Sequence, residues 1–552
     1  MGSAQTQSGS WWRRGVVYQV YVRSFADSTG DGTGDINGLR SRLRYLRDLG
    51  VDAIWINPWY LSPLADGGYD VADYFTINPM FGTNDDATAL ISDAHAHGIK
   101  VIVDVVPNHT SDQHEWFCEA VNSPAGDPSR SRYHIVDGQG PDGSLPPNNW
   151  TSVFGGPAWT RLADGQWYLH LFAPEQPDLN WDSPEVRSEF LSVLDYWLAA
   201  GVDGFRVDVA HGLVKQSGYP DLELADDGKI LTSANYAGHP HWDRDEIHEI
   251  VADWRSLVDS YCQVPGEKMM VAEAWVRPER VGLYLAADQY HQSFNFALLE
   301  ADWDPTQWKT VIDTAVEIAQ DSGSTPTWVL SNHDVMREAS RYGLPCGTDW
   351  RSWPITGPTN ALDSALGLRR ARAAALAMLG LPGSAYLYQG EELGLPEVWD
   401  LPPEVLDDPV WERSGHTQKG RDGCRVPIPW TIEGPSAGFG SGPSWLPQPS
   451  GWGSHSVQAQ TGVEQSTLEL YRAALKARTQ YGGDTLTWLD SPTGTLAYRC
   501  GQLVCVVNYT DSAIDLPPHQ QLLVASAPVT SSGQLDPDGS VWFVEPPDLT
   551  ER

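Results

Sequence analysis

Apolar and polar positions follow a repeating order along this chain. A short apolar run is followed by a turn and then by a longer segment with apolar residues every three or four positions. The short runs lie at residues 16–21, 53–57, 100–106, 204–209, 269–274, 293–296, 328–331 and 385–388. They are too continuous for half-exposed strands and read as strands of a parallel sheet buried on both faces. Residues 39–49, 85–97, 190–200, 247–261 and 366–379 read as helices, the first two stopped by Gly50 and Gly98. Eight strands with intervening helices over about 400 residues predict an α/β protein of the (β/α)8 TIM-barrel class.

The pattern is interrupted after the third strand. Residues 110–182 are rich in Pro, Gly, Asn and Trp and hold short strand-like pieces such as 167–172. They predict an inserted domain on the face where the barrel strands end. A second irregular stretch, 401–453, follows the eighth strand. Beyond a helix at 467–480, the runs 485–489, 495–500, 503–508 and 521–524 alternate between turn signals. They predict a C-terminal antiparallel β-sandwich. The expected division is a barrel of residues 1–109 and 183–465, an inserted domain of 110–182 and a C-terminal domain of 466–552.

Composition narrows the class of function. The net charge is −36, from 36 basic and 72 acidic residues. Such a surface repels nucleic acid and anionic membranes. No apolar run approaches the roughly 18 residues of a membrane span. The start, MGSAQTQSGSWWRR, has no apolar core of a secretory signal, so a cytoplasmic location is expected. The six cysteines show neither CxxC pairs nor metal-finger spacing and read as thiols. No organic cofactor is expected. The 25 Trp and 21 Tyr exceed what a core needs, and aromatic rings stack well on sugar faces.

Four of the apolar runs carry an acidic residue at or just past their end. These are Asp104 in VIVDVVPNH, Asp208 in GFRVDV, Glu273 in MVAEAW and Asp334 in VLSNHD. A parallel barrel builds its active site where its strands end, so these carboxylates should converge on one pocket. Paired carboxylates of that kind serve glycoside hydrolysis, one attacking the sugar and the other moving the proton. Arg206, two residues before Asp208, shares its side of the strand and would keep that carboxylate ionised.

The segments GVVYQVYVRSF, DVVPNH, QPDLNW, GFRVDV, VAEAW, SNHD, YQGEELGL and GRDGCRVPIPW, in this order, resemble the α-amylase family of retaining glycoside hydrolases (glycoside hydrolase family 13). Within that family the chain is similar to the α-glucosidase and oligo-1,6-glucosidase branch. The resemblance implies Asp208 as nucleophile, Glu273 as general acid/base and Asp334 as the third carboxylate, holding hydroxyls of a distorted glucose. It implies His109 and His333 as sugar-binding histidines, with Asp104 and Asn108 bracing the pocket. Asp66 and Tyr69 of ADGGYD resemble the clamp on the non-reducing glucose. Arg421 resembles the partner of Asp66 that closes the pocket, and Arg425 lies near enough to compete for that role. Phe154 and Phe172 would be aromatic walls.

The loop Asp27-Ser-Thr29-Gly-Asp31-Gly-Thr33-Gly-Asp35 sets oxygen donors at alternate positions, like the first half of an EF-hand loop. Related α-glucosidases carry Ca2+ or Mg2+ there, so a structural divalent cation is expected; Thr29 stands where Asn or Asp is usual. The resemblance as a whole implies an exo-acting α-glucosidase for short α-1,4- or α-1,6-glucosides with some transglucosylation. The alternatives are a dedicated α-glucosyltransferase on the same scaffold and, more remotely, a non-catalytic relative. The sequence assigns a small-sugar substrate and no oligomeric state.

Overall fold

The computed structural model describes residues 10–222, 238–357, 361–530 and 532–545. Eight parallel strands form its centre: β1 (Val16–Val20), β2 (Ala53–Ile56), β3 (Lys100–Val105), β4 (Gly204–Val207), β5 (Met269–Ala272), β6 (Gln292–Ser293), β7 (Thr327–Val329) and β8 (Ser384–Tyr388). Their order is β6-β5-β4-β3-β2-β1-β8-β7. The ring closes where Asn295, just past β6, bridges in parallel to Trp328 of β7. Every residue of β1, β2, β4, β5 and β8 is buried, which is why these strands lack alternation in the sequence. Alternate side chains nevertheless go to different cores. Val17, Ala53, Trp55, Ile102, Val271 and Tyr386 pack together in one. Val16, Tyr18, Ile54, Val101 and Val103 join the larger core shared with the surrounding helices.

Two of the elements expected in the barrel differ from the sequence reading. The sixth strand, expected at 293–296, is Gln292–Ser293, and a helix (Phe296–Glu300) starts three residues later. Asn295 causes the switch: its side chain caps that helix by accepting from the Ala297 N–H. The helix expected at 39–49 is two helices, Ile36–Ser41 and Leu43–Leu49, broken at Arg42. The first is pressed so closely on the loop after β1 that a Cβ on Gly38 would lie 2.0 Å from the Ala26 carbonyl oxygen.

The segment between β3 and β4 holds a three-stranded antiparallel sheet, with Gln166–Leu169 between Ile135–Asp137 and Trp159–Arg161. It is tied back to the barrel by a bridge between His109 and Asp178, and a bridge between Tyr133 and Leu179 joins its own two ends.

The C-terminal part is an uneven sandwich. Its main sheet holds β9 (Leu486–Trp488), β10 (Thr495–Cys500), β11 (Leu503–Asn508), β12 (Gln521–Ala525) and β13 (Gly539–Val544) in the order β9-β10-β11-β13-β12. The other layer is the pair Ile514–Asp515 and Gln534–Leu535. Strand β13 was not expected from the sequence. Its Trp542 is fully buried and donates to the Leu376 carbonyl (3.1 Å) on the helix Ser364–Leu379, which leads into β8. Trp542→Ala is expected to cost about 3–5 kcal/mol, read as a lower midpoint of thermal unfolding.

Candidate active site

The ends of the barrel strands carry the charged groups. Asp208 follows β4, Glu273 follows β5 and Asp334 lies in the turn after β7. With Asp66, Tyr69, His109, Phe154, Phe172 and Arg421 they border one cavity of about 480 Å³. The residues expected from separate segments are thus brought together.

At the floor, one guanidinium holds three carboxylates. Arg206 Nη1 lies 2.8 Å from Asp104 Oδ1 and 2.6 Å from Asp208 Oδ1, and Nη2 lies 2.8 Å from Glu273 Oε2. Glu273 Oε2 also accepts the Val209 N–H (3.0 Å), and Oε1 accepts from the Trp275 indole (3.2 Å). Val209 donates from a left-handed backbone (φ +45°), a conformation that a β-branched residue rarely adopts. Burial pushes the Asp208 carboxyl well above its usual range. Arg206 opposes the shift, and repulsion from Glu273 and Asp104 adds to it. Two carboxyl groups held on one guanidinium suit one nucleophile and one acid.

The far end of the cavity is closed by a second arginine. Arg421 Nη2 lies 2.5 Å from Asp66 Oδ1, Nε lies 2.5 Å from Asp408 Oδ2, and Nη1 lies 3.1 Å from Asp334 Oδ1. Gln176 completes this wall by donating to Asp66 Oδ2 (3.0 Å). Arg425, the competitor for the Asp66 role, instead reaches Asp334 Oδ1 (3.0 Å) and the His333 carbonyl (2.9 Å). Asp334 is buried, which raises its pKa. Its neighbours His333, Arg421, Arg425 and Arg206 outweigh burial and hold it ionised, well below the usual carboxylate range. The Phe154 ring lies under the Arg421 guanidinium at 5.1 Å.

These contacts join segments far apart in sequence. The α-amylase catalytic domain, as a family, matches residues 19–488. The chain belongs to the α-amylase family. It is 35% identical over 511 residues to an oligo-1,6-glucosidase of Heyndrickxia coagulans, covering 85% of each chain. It is 36% identical over 531 residues to a probable α-glucosidase of Rhizobium meliloti, covering 91% of this chain and 90% of the relative. Among solved structures, the α-glucosyl transfer enzyme XgtA superposes with a TM-score of 0.84 at 32% identity, covering 98% of this chain and 100% of that one.

The other candidate residues of this α-amylase-family chain sit in the same network. Tyr69 stacks on His333 (5.3 Å between centroids, 10° between planes), and its hydroxyl donates to Asp104 Oδ2 (3.0 Å). His333 Nδ1 pairs with the Gln19 amide (2.7 Å), and Nε2 lies 3.2 Å from Asp334 Oδ2. His109 lies between the amides of Asn108 (3.1 Å) and Gln176 (3.0 Å), with Phe172 at 5.0 Å. Asn108 accepts from the Lys215 ammonium (2.8 Å), which also meets Asp178 (2.8 Å). This buried pair locks the segment after β3 onto the barrel.

Burial pushes His109 down to about 4, so the ring is neutral above pH 5 or so. His109→Gln should therefore lower kcat/KM about 10- to 100-fold, through one lost hydrogen bond to a sugar, without moving either limb of the pH–rate profile. A shift of the acidic limb in that variant would show that the imidazole titrates during turnover.

The loop after β1 is closed by its own hydrogen bonds. Asp27 Oδ1 accepts from the N–H groups of Thr29 (2.9 Å) and Gly30 (2.6 Å), and Oδ2 from Gly32 (2.9 Å). Asp35 Oδ2 accepts from Ser28 N–H (2.7 Å), and Oδ1 from Gly38 N–H (2.7 Å). Asp31 Oδ1 accepts the Thr33 N–H (2.9 Å). Among the described residues no group of three or more acidic, histidine or cysteine side chains is placed to hold a metal ion by itself.

Sequence reasoning missed Asp408, Gln176, Lys215 and Trp275. Gln176 lies in QPDLNW, one of the segments that carry the family resemblance, so a signal was present. Asp408 lies in the irregular stretch after β8, where no local pattern marks a pocket residue.

Proposed function

We propose that this protein is a retaining, exo-acting α-glucosidase of the α-amylase family that hydrolyses short α-glucosides. The closed end built by Asp66, Arg421 and Asp408 carries the reading, because a blind pocket admits one terminal glucose. Asp208 attacks the anomeric carbon while Glu273 protonates the departing oxygen. A covalent glucosyl-enzyme forms. Glu273 then takes a proton from water, which attacks the same carbon and frees Asp208. Asp334, held ionised by two arginines, accepts from hydroxyls of the distorted ring.

Product analysis on maltose, isomaltose and sucrose tests this. Release of the non-reducing glucose first as the α-anomer, with two glucoses per maltose or isomaltose cleaved and one per sucrose, is the expected result. The β-anomer as first product would overturn the retaining assignment.

The reading keeps the three-part division at residues 109/110, 182/183 and 465/466. It also keeps a cytoplasmic site, in accord with six cysteines that all stand as free thiols. No helix among the described residues is long and apolar enough to cross a membrane. A structural Ca2+ or Mg2+ at the Asp27–Asp35 loop is part of the proposal, with Asp27, Thr29, Asp31, Thr33 and Asp35 as its donors. Calcium should then raise the midpoint of thermal unfolding of chelator-treated protein by several degrees, and an unchanged midpoint would remove the metal.

A further inference from the structure

A second cavity shares no lining residue with the catalytic one. It occupies about 270 Å³ between the barrel wall at β5 and β6 and two helices, Pro278–Tyr284 and Pro305–Ser322. The longer helix lines it with Val311, Thr314, Ala315 and Ile318, the i, i+3, i+4, i+7 spacing of one helix face. That face is only half-buried, because the cavity lies where a packing partner would stand. The barrel side presents Trp275 and Phe296, whose rings stack with 3.7 Å between centroids and 4° between planes.

Size, charge and polarity each restrict what the cavity can hold. Well-packed interiors leave few gaps larger than a water molecule, and an apolar cavity of about 150 Å³ already takes benzene. One turn of a partner's helix, about 10 Å across and about 5.4 Å long, needs more space than this. Among the described lining residues Glu300 alone is charged, and its carboxylate is paired with Arg351 (3.0 Å). A charged molecule would lose its hydration there without gaining a free counter-ion. Ser293 and Thr327 line the cavity, are more than nine-tenths buried, and have hydroxyls without a hydrogen-bond partner. Side chains alternate along a strand. Gln292 of β6 faces the barrel interior, where it donates to Ser384 Oγ (2.8 Å) and accepts from the Tyr386 hydroxyl (3.0 Å). Ser293 therefore turns outward, toward the helices. Thr327 pairs in register with Ser384 and shares the interior side. Ser293 is thus the one unpartnered hydroxyl of the two that faces the cavity, and a buried hydroxyl without a partner is disfavoured.

We propose that this cavity is a binding site for a small, uncharged aromatic molecule with one hydrogen-bonding group, of the size of a substituted phenol. The ring is held by Phe296 and the Val311–Ile318 face, and the polar group pairs with the Ser293 hydroxyl. The inference stands apart from the α-glucosidase reading and does not depend on it.

The test titrates p-cresol and p-xylene, which differ only in a hydroxyl for a methyl, into the full-length protein by calorimetry. One p-cresol per chain should bind, with a Kd below about 1 mM. It should bind at least about fivefold more tightly than p-xylene, and Ser293→Ala should remove that preference while leaving p-xylene within about twofold. Ala315→Phe and, separately, Val311→Trp fill the space, and each should abolish binding of both compounds; two variants guard against one that fails to fold. No binding at about 1 mM, or p-xylene binding as tightly as p-cresol, would overturn the inference. Binding that survives in the folded filling variants would place the molecule elsewhere and overturn it as well. A p-cresol preference unchanged in Ser293→Ala would do the same.

Discussion

Asp208→Asn should lower kcat by about four orders of magnitude or more, as expected when a covalent nucleophile is removed. The same change should leave the thermal midpoint equal or higher. The reason is electrostatic. Burial, with repulsion from Glu273 and Asp104, pushes the Asp208 carboxyl upward even though Arg206 opposes it. A carboxyl whose folded pKa is raised favours the fold while protonated. That contribution is full below about pH 4, the range of an unfolded Asp, and is lost as pH rises through the raised value. The amide removes this cost, so the variant's advantage should grow toward neutral pH. Arg206 keeps Asp104 and Glu273 as partners. Activity and unfolding curves of both proteins between pH 4 and 8 decide the matter. Turnover close to that of the unaltered enzyme would exclude Asp208 as nucleophile. A large drop in midpoint at neutral pH would show that the ionised carboxylate supports the fold.

Arg421→Ala should reduce kcat/KM for maltose about 100- to 1000-fold, because the terminal glucose loses the wall that fixes its position. It should also destabilise the protein by about 3–5 kcal/mol, since buried Asp66 and Asp408 lose their cation together. Arg421→Lys separates charge from geometry. A lysine supplies the positive charge but cannot span Asp66, Asp334 and Asp408 with one planar fork. Stability should recover more than activity in that variant. With the blind end breached, maltotriose should yield products other than single glucose units from its non-reducing end. If Arg421→Ala stays within threefold of the unaltered enzyme on maltose, the closed-end assignment is wrong.

Most of the barrel was legible because a strand buried on both faces is an uninterrupted apolar run, and seven of the eight runs lie where expected. The sixth was misplaced because it spans two residues, too few to leave a pattern, and because Asn295 both closes the ring and caps a helix. Asp208 and Glu273 could be read directly, since each follows its strand by one position. Their arginine, Arg206, could be read as well, because strand geometry places residues two apart on one side.

The tertiary structure decided what no local pattern encodes. Arg421 rather than Arg425 meets Asp66, and Asp408 and Gln176 stand behind that pair. The acidic residues of the Asp27–Asp35 loop have the spacing of cation ligands, yet in this geometry their oxygens accept peptide N–H groups. Spacing along the chain fixes only which donors are available. Which partner each one meets is set by the packing of distant segments.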